Sequence, residues 1–282
     1  MGTKIDGKLI AEKFREEIKA FVLAQKEEGK SSPKLSVIFI GNDGGSLYYV
    51  KNTQKLANSL GVECDVHIIK EDASEDSVID LIEKLNLDKE VNGIMLQIPL
   101  PQKFNEGKII SKIDYKKDVD GLTHTNIGRF FSGEKSYVPC TPKGIIELIK
   151  STGLDIAGKR AVVIGRSNIV GKPVAQLLLN ENATVTICHS KTKDLKKVCS
   201  EADILISAIG RPNFVNKEFV KEGAIVIDVG TTMVEGKLKG DVIFEEVIEK
   251  ASFVTPVPGG VGAMTTTMLL KNTCEALKGN VY

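Results

Sequence analysis

Little in this chain points to metal or disulfide chemistry. Its five cysteines, Cys64, Cys140, Cys188, Cys199 and Cys274, are odd in number, widely spaced and mostly inside apolar runs. There is no C-x-x-C pair and no His-rich spacing, so reduced structural thiols are expected and no metal. No apolar run approaches the length of a membrane span, and Met1-Gly-Thr-Lys-Ile-Asp6 holds no apolar signal core, which makes the cytoplasm the expected location. A dominant charge is missing as well: 38 Lys and Arg face 37 Asp and Glu, for a net charge of +1. That balance offers no general field to attract nucleic acid or an anionic membrane, so any selectivity for anions must be local. What is present, 282 residues with 42% hydrophobic and 27% charged, suffices for a full core and two domains.

Strands and helices alternate along the chain. Apolar residues from Leu9 to Val22 recur at helical spacing, Gly29 to Pro33 break the pattern, and Leu35–Ile40 reads as a strand. A helical stretch 46–60, a strand 62–69, a helix near 74–85 and the apolar run Gly93–Ile98 follow. After Thr141-Pro142, taken as an N-cap and a first-turn proline, the helix 143–150 leads to strands at 161–164, 184–188, 203–207 and 224–228. This rhythm implies parallel sheets covered on both faces, in two tandem α/β units joined near Pro139–Gly144.

The most informative segment is Ala161-Val-Val-Ile-Gly165-Arg-Ser-Asn-Ile-Val-Gly171-Lys-Pro173. A strand, a glycine turn and a helix with Pro173 at its first position would aim backbone N–H groups at a phosphate. The spacing is not G-x-G-x-x-G, and such units also occur without ligands. The next strand tips the balance. Where an NAD site places an acidic residue for the ribose hydroxyl, this chain has Cys188-His-Ser-Lys-Thr192, and Arg166, Ser190, Lys191 and Lys193 offer cations and a hydroxyl instead. A plain solvated loop is the alternative; NADP is the expected cofactor.

Other residues fit ordinary structure less well. Gln97 lies in an apolar run, where an unbonded amide costs about 1–3 kcal/mol, although a strand-end amide bonded to backbone would also account for it. Lys117-Asp-Val-Asp-Gly121 puts two carboxylates on a turn, and for Asp118 a solvated turn is the preferred reading. Tyr49 follows the glycine-rich 41–45 segment and could face a cleft or simply pack at the surface. Thr255–Gly262 is too rich in Gly and Pro for a helix or central strand and precedes a helical pattern from Met264; it reads as a second phosphate or substrate-approach loop, or as a connector.

Over nearly its whole length the chain resembles the methylenetetrahydrofolate dehydrogenase / methenyltetrahydrofolate cyclohydrolase family. The resemblance is carried by Ser46–Val50, Gln97–Pro101, Lys117–Leu122, Asn126–Arg129, Pro139–Pro142, Gly165–Pro173 and Pro256–Gly262. It implies a folate-binding catalytic α/β domain over 1–140, completed by a C-terminal helix in 264–282, and a Rossmann-like NADP-binding domain over 141–263. It further implies a homodimer, with folate in a cleft between the domains. Tyr49, Thr53, Gln97 and Asp120 would then occupy the catalytic positions, Asp120 holding the pterin, and Val50, Pro99, Leu100, Pro258, Gly259 and Gly260 would join Tyr49, Gln97 and Asp120 in binding substrate. The cofactor set would be Thr141, Gly165, Arg166, Ser167, Ile169, Val170, Gly171, Pro173, His189, Ser190, Lys191, Ala208, Ile209, Gly210, Gly230 and Thr231.

One departure matters most. Bifunctional members of the family carry a lysine four residues after the tyrosine; this chain has Thr53 there, and Lys51 and Lys55 point roughly 200° away on a helix. Smaller departures are Asp43-Gly-Gly45 and Ala263, where the family tends to have proline. The expected activity is therefore an NADP-dependent dehydrogenase with cyclohydrolase activity weak or absent. A fully bifunctional enzyme, and a binding protein without catalysis, are the alternatives.

Overall fold

The computed structural model describes residues 1–279 and residue 281, and the chain divides into two compact units. One comprises Met1–Lys13 and Pro139–Met268; the other comprises Phe14–Val138 and the chain from Leu269. The elements in chain order are β1 (Thr3–Lys4), α1 (Gly7–Glu27), β2 (Lys34–Ile40), α2 (Gly44–Ser59), β3 (Glu63–Ile69), α3 (Glu75–Leu87), β4 (Gly93–Leu96), α4 (Glu106–Ile110), α5 (His124–Phe131) and α6 (Cys140–Lys150). There follow β5 (Arg160–Ile164), α7 (Gly171–Asn180), β6 (Thr184–Cys188), α8 (Leu195–Cys199), β7 (Ile204–Ser207), β8 (Ile225–Asp228), β9 (Thr232–Val234), β10 (Lys237–Lys239), α9 (Phe244–Val247), β11 (Phe253–Val254) and α10 (Val261–Lys278).

In the 14–138 unit the sheet order is β3-β2-β4, all parallel. Six of the seven residues of β2 are buried, as expected for a central strand covered on both faces. Its Ile38 and Ile40 pack with Val78, Ile82 and Leu85 of α3 and with Ile94 and Leu96 of β4. Local caps fix where the helices start: the Asp43 carboxylate accepts from Ser46 N at the head of α2, Ser74 does the same for α3, and Thr123 for α5. The chain from Leu269 belongs here because Asn272 Nδ2 donates to the carbonyls of Val119 and Val138.

The other unit carries six parallel strands in the order β1-β11-β8-β7-β5-β6. Counted from β5 the order is 2-1-3-4-5, so the winding reverses between β5 and β7, and ligands of doubly wound sheets bind outside the carboxyl ends of strands at such a point. Sequence periodicity places the strands β5–β8 to within one residue, but it does not show α8. Two helix starts differ. Helix α6 begins at Cys140 with Pro139 at its cap position, so Thr141 is no N-cap; its hydroxyl pairs with Thr265 instead, at 2.9 Å. Helix α7 begins at Gly171, making Pro173 its third residue. All five cysteines are buried and free, and burial pushes the thiols of Cys64, Cys199 and Cys274 up to about 12. No helix among the described residues is long and apolar enough to cross a membrane.

Candidate functional site

In the 14–138 unit two of the residues of interest, Tyr49 and Gln97, lie on segments that follow the carboxyl ends of β2 and β4. Gln97 follows β4 directly, and its N–H extends the ladder to Ile38 O at 2.8 Å. Its side-chain Nε2 donates to Ile98 O, whereas Oε1 is buried with no hydrogen-bond partner among the described residues. An acceptor left in that state is costly in a resting fold and is a reason to look for a ligand donor. Pro99 is exposed and Leu100 half-buried, and Pro101 lies against Gly41, the residue after β2. The stretch after β4 and the approach to α2 are thus neighbours.

Tyr49 is the sixth residue of α2 and is half-buried, Val50 is buried, and Thr53 is fully buried. The Thr53 hydroxyl donates to the Tyr49 carbonyl one turn back, at 3.0 Å, a common local bond for a helical threonine. Lys51 and Lys55 are exposed, as a half-turn of rotation from Thr53 requires.

Asp120 sits half-buried in the turn beside β4, two residues beyond the bridge that pairs Asp118 with Ile94. Asp118 corrects the sequence reading: it is no solvated turn residue but is 2% exposed. Its carboxylate accepts from Leu122 N (3.1 Å), Thr123 N (2.7 Å) and Asn126 Nδ2 (2.8 Å). Burial raises its pKa, and the bonds from Asn126 and Thr123 oppose the rise. The turn that presents Asp120 is therefore built around a buried acid. Asp118→Ala would orphan the N–H groups of Leu122 and Thr123, at about 1–3 kcal/mol each, and remove one of the bonds of Asn126 Nδ2, which keeps the Tyr115 carbonyl. We expect a loss of at least ~2 kcal/mol of stability by urea denaturation, with Asp118→Asn losing less.

In the 139–268 unit, Gly165 ends β5 with φ +125°, and a Cβ there would stand 2.4 Å from Ala208 O, just past β7. A Cβ on Gly171 would meet Gly165 O, also at 2.4 Å. Three backbone segments therefore converge where the sheet reverses. The N-terminus of α7 is not the open donor array that the sequence suggested. Ser167 Oγ accepts from Val170 N and Gly171 N, Ser167 O accepts from Lys172 N, Pro173 has no N–H, and Val174 N bonds inside the helix. The N–H groups of Arg166, Ser167, Asn168 and Ile169, one step earlier, have no acceptor among the described residues. The donors for an anion are thus those of the loop.

Beyond β6, His189 N donates to Thr192 Oγ1 and Lys191 N to His189 Nδ1, folding a tight loop that leaves Ser190 and Lys191 exposed, as Arg166 is. Ala208 and Ile209 are half-buried, Gly210 and Thr231 exposed and Gly230 buried. In the loop before α10, Pro258 is exposed, Gly259 has φ +103°, and the carbonyl of Gly260 lies where a Cβ on Gly7 would fall. Sequence reasoning missed two buried acids behind the β7 and β8 loops, Asp228 and Asp241. An aspartate closing the apolar run Ala224–Asp228 was the available signal. Burial pushes the Asp228 carboxyl up to about 7.

Comparison with known proteins matches residues 5–120 to the catalytic domain of tetrahydrofolate dehydrogenase/cyclohydrolase and residues 139–281 to its NAD(P)-binding domain. A curated relative called bifunctional protein FolD, from Clostridium botulinum, is 62% identical over 278 residues, 99% of each chain. The crystal structure of the bifunctional FolD methylenetetrahydrofolate dehydrogenase/cyclohydrolase of Campylobacter jejuni superposes with a TM-score of 0.96 at 43% identity, covering 99% of both chains. The Trypanosoma brucei dehydrogenase-cyclohydrolase, solved with NADP and an inhibitor, gives 0.95 at 37% identity, covering 99% of this chain and 98% of that one.

Proposed function

The chain belongs to the tetrahydrofolate dehydrogenase/cyclohydrolase family, and from that premise we propose that it oxidises 5,10-methylenetetrahydrofolate to 5,10-methenyltetrahydrofolate with NADP while hydrolysing the product weakly or not at all. The observation that carries the second half is Thr53, a buried hydroxyl already committed to the Tyr49 carbonyl at the position of the family's lysine.

The residues present fit the cofactor. Gly165 and Gly171 pack so closely that a Cβ on either would strike backbone, the four N–H groups of the loop between them have no acceptor among the described residues, and Arg166, Ser190 and Lys191 are exposed with no acid at the ribose position. That donor set suits a 2′-phosphate, and the relative solved with NADP supports the choice. When bound, the nicotinamide supplies the hydride acceptor. Around it the protein's task is orientation and exclusion of water. Asp120 holds the pterin, Gln97 offers its unpaired Oε1 to a donor on the folate, and Tyr49 lies against the reacting carbon's neighbourhood. Pro258, Gly259 and Gly260 provide close backbone approach to substrate.

Hydride transfer of this kind needs no protein base. Hydrolysis of the methenyl cation does need protons managed beside an attacking water, and a neutral hydroxyl bonded to backbone cannot take up or deliver one; a general acid-base group is worth about 10²–10⁴-fold. The domain roles follow the family: folate binding in 1–140 with 264–282, NADP binding in 141–263. A homodimer in the cytoplasm is part of the same proposal. Assay of both steps on the purified protein tests it: the dehydrogenase should turn over readily, with hydrolysis at least about a hundredfold slower. Equal rates would overturn the loss of hydrolysis, and no reduction of NADP would overturn the whole reading.

A further inference from the structure

Two acids in the 139–268 unit are buried without a cation. Asp241 is fully buried and Asp228 nearly so, and neither has a salt-bridge partner among the described residues. Each instead accepts backbone N–H groups from the loops that follow two neighbouring strands. Asp241 Oδ2 accepts from Ile209 N (2.9 Å) and Ser207 Oγ (3.0 Å), and its Oδ1 from Arg211 N (2.7 Å). It thus grips the loop after β7 on both sides of Gly210, which is held at φ +63°. Asp228 Oδ1 accepts from Gly230 N (3.0 Å) and Asp241 N (2.9 Å), and Oδ2 from Val242 N (3.0 Å). The loop after β8 is therefore tied to the same knot. The packing leaves no slack: a Cβ on Gly230 would lie 2.2 Å from Asp241 Oδ1, and one on Gly240 1.9 Å from Asp228 Oδ2.

Burying an acid without a cation is expensive, and packing alone would be served more cheaply by an apolar side chain. Here each carboxylate collects three hydrogen bonds, two or three of them from backbone. We propose that Asp241 is a positioning residue for the nicotinamide cofactor, its carboxylate fixing the 208–211 loop, with Asp228 locking Asp241 in turn. The inference rests on the NADP reading above. Asp241 does not touch the cofactor; it sets where the backbone of Ala208, Ile209 and Gly210 stands relative to the Gly165 turn, against which Ala208 already packs.

Asp241→Asn keeps the shape and one acceptor oxygen but turns an acceptor into a donor facing an N–H. A displacement of the order of an ångström in a binding loop costs up to about a hundredfold. The test measures the dissociation constant of NADP by titration, the KM for each substrate and the thermal midpoint, for the parent and Asp241→Asn. The expected result is NADP affinity weakened about tenfold to a hundredfold, with KM for methylenetetrahydrofolate moved less than about threefold. Asp241→Glu should not rescue, because the extra methylene has no room beside Gly230. Parent-like NADP affinity in a folded Asp241→Asn, or equal losses for both substrates, would overturn the proposal and leave the NADP reading intact. Failure of the parent itself to bind NADP would overturn both. Should Asp241→Asn not fold, Ser207→Ala removes one of the three donors, and unchanged NADP affinity there would equally overturn it.

Discussion

Thr53→Lys is expected to raise hydrolysis of methenyltetrahydrofolate by about a hundredfold or more over the parent, within the range that a placed proton-transfer group supplies. The position is one helical turn from Tyr49 and on the same face, and the threonine there already points inward. A lysine in its place would be stripped of water, which disfavours the ammonium and draws its pKa down toward the working range of a base. The substitution should also cost stability, since a fully buried hydroxyl with a satisfied bond gives way to a longer, chargeable chain. Thr53→Met separates the two effects: it adds similar length without an amine, so it should share the fall in thermal midpoint and gain no hydrolysis. The measurement is the rate of loss of the methenyl compound, corrected for the uncatalysed reaction. A lysine variant no faster than the methionine variant would show that the departure at this site extends beyond one side chain.

The elements that sequence periodicity locates are those whose local pattern and tertiary role agree. Strand β2 is apolar at five of its seven residues because both its faces are covered, and α2 and α3 start where Asp43 and Ser74 can cap them. What sequence does not show is set by distant partners. Strand β1 is two residues long and exists through its pairing with β11, at the far end of the chain. The β9–β10 hairpin turns at Glu235-Gly236, both with positive φ, and its strands, three residues each, are too short for a pattern to be read. Asp118 looks like any acid on a turn until Asn126, on the following helix, and the β4 pairing enclose it. The same holds at the cofactor loop: Gly165 and Gly171 announce a turn, but which N–H groups stay free depends on Ser167 folding back over the start of α7. The candidate residues themselves were legible as motifs; their hydrogen-bond partners were not.

Gly165→Ala is expected to abolish measurable NADP binding, a loss of at least about a hundredfold, while a matched control glycine does not. Two costs add at Gly165. Its φ of +125° lies where an L-residue is strained, at about 1–3 kcal/mol, and a Cβ would collide with the Ala208 carbonyl at 2.4 Å. That obstacle is backbone, not the end of a flexible side chain, so the turn and the β7 loop must part. The N–H groups of 166–169 would move with the turn, and the loop tied down by Asp241 could not follow without breaking its own bonds. Gly158, with φ +73° and open space where a methyl would project, carries the strain alone; Gly158→Ala should lose about 1–2 kcal/mol of stability and keep parent affinity for NADP. Titration of the cofactor into both variants, alongside urea denaturation, distinguishes strain from collision. If Gly165→Ala bound NADP like Gly158→Ala, convergence of the three segments at the sheet reversal would not be what shapes the cofactor site.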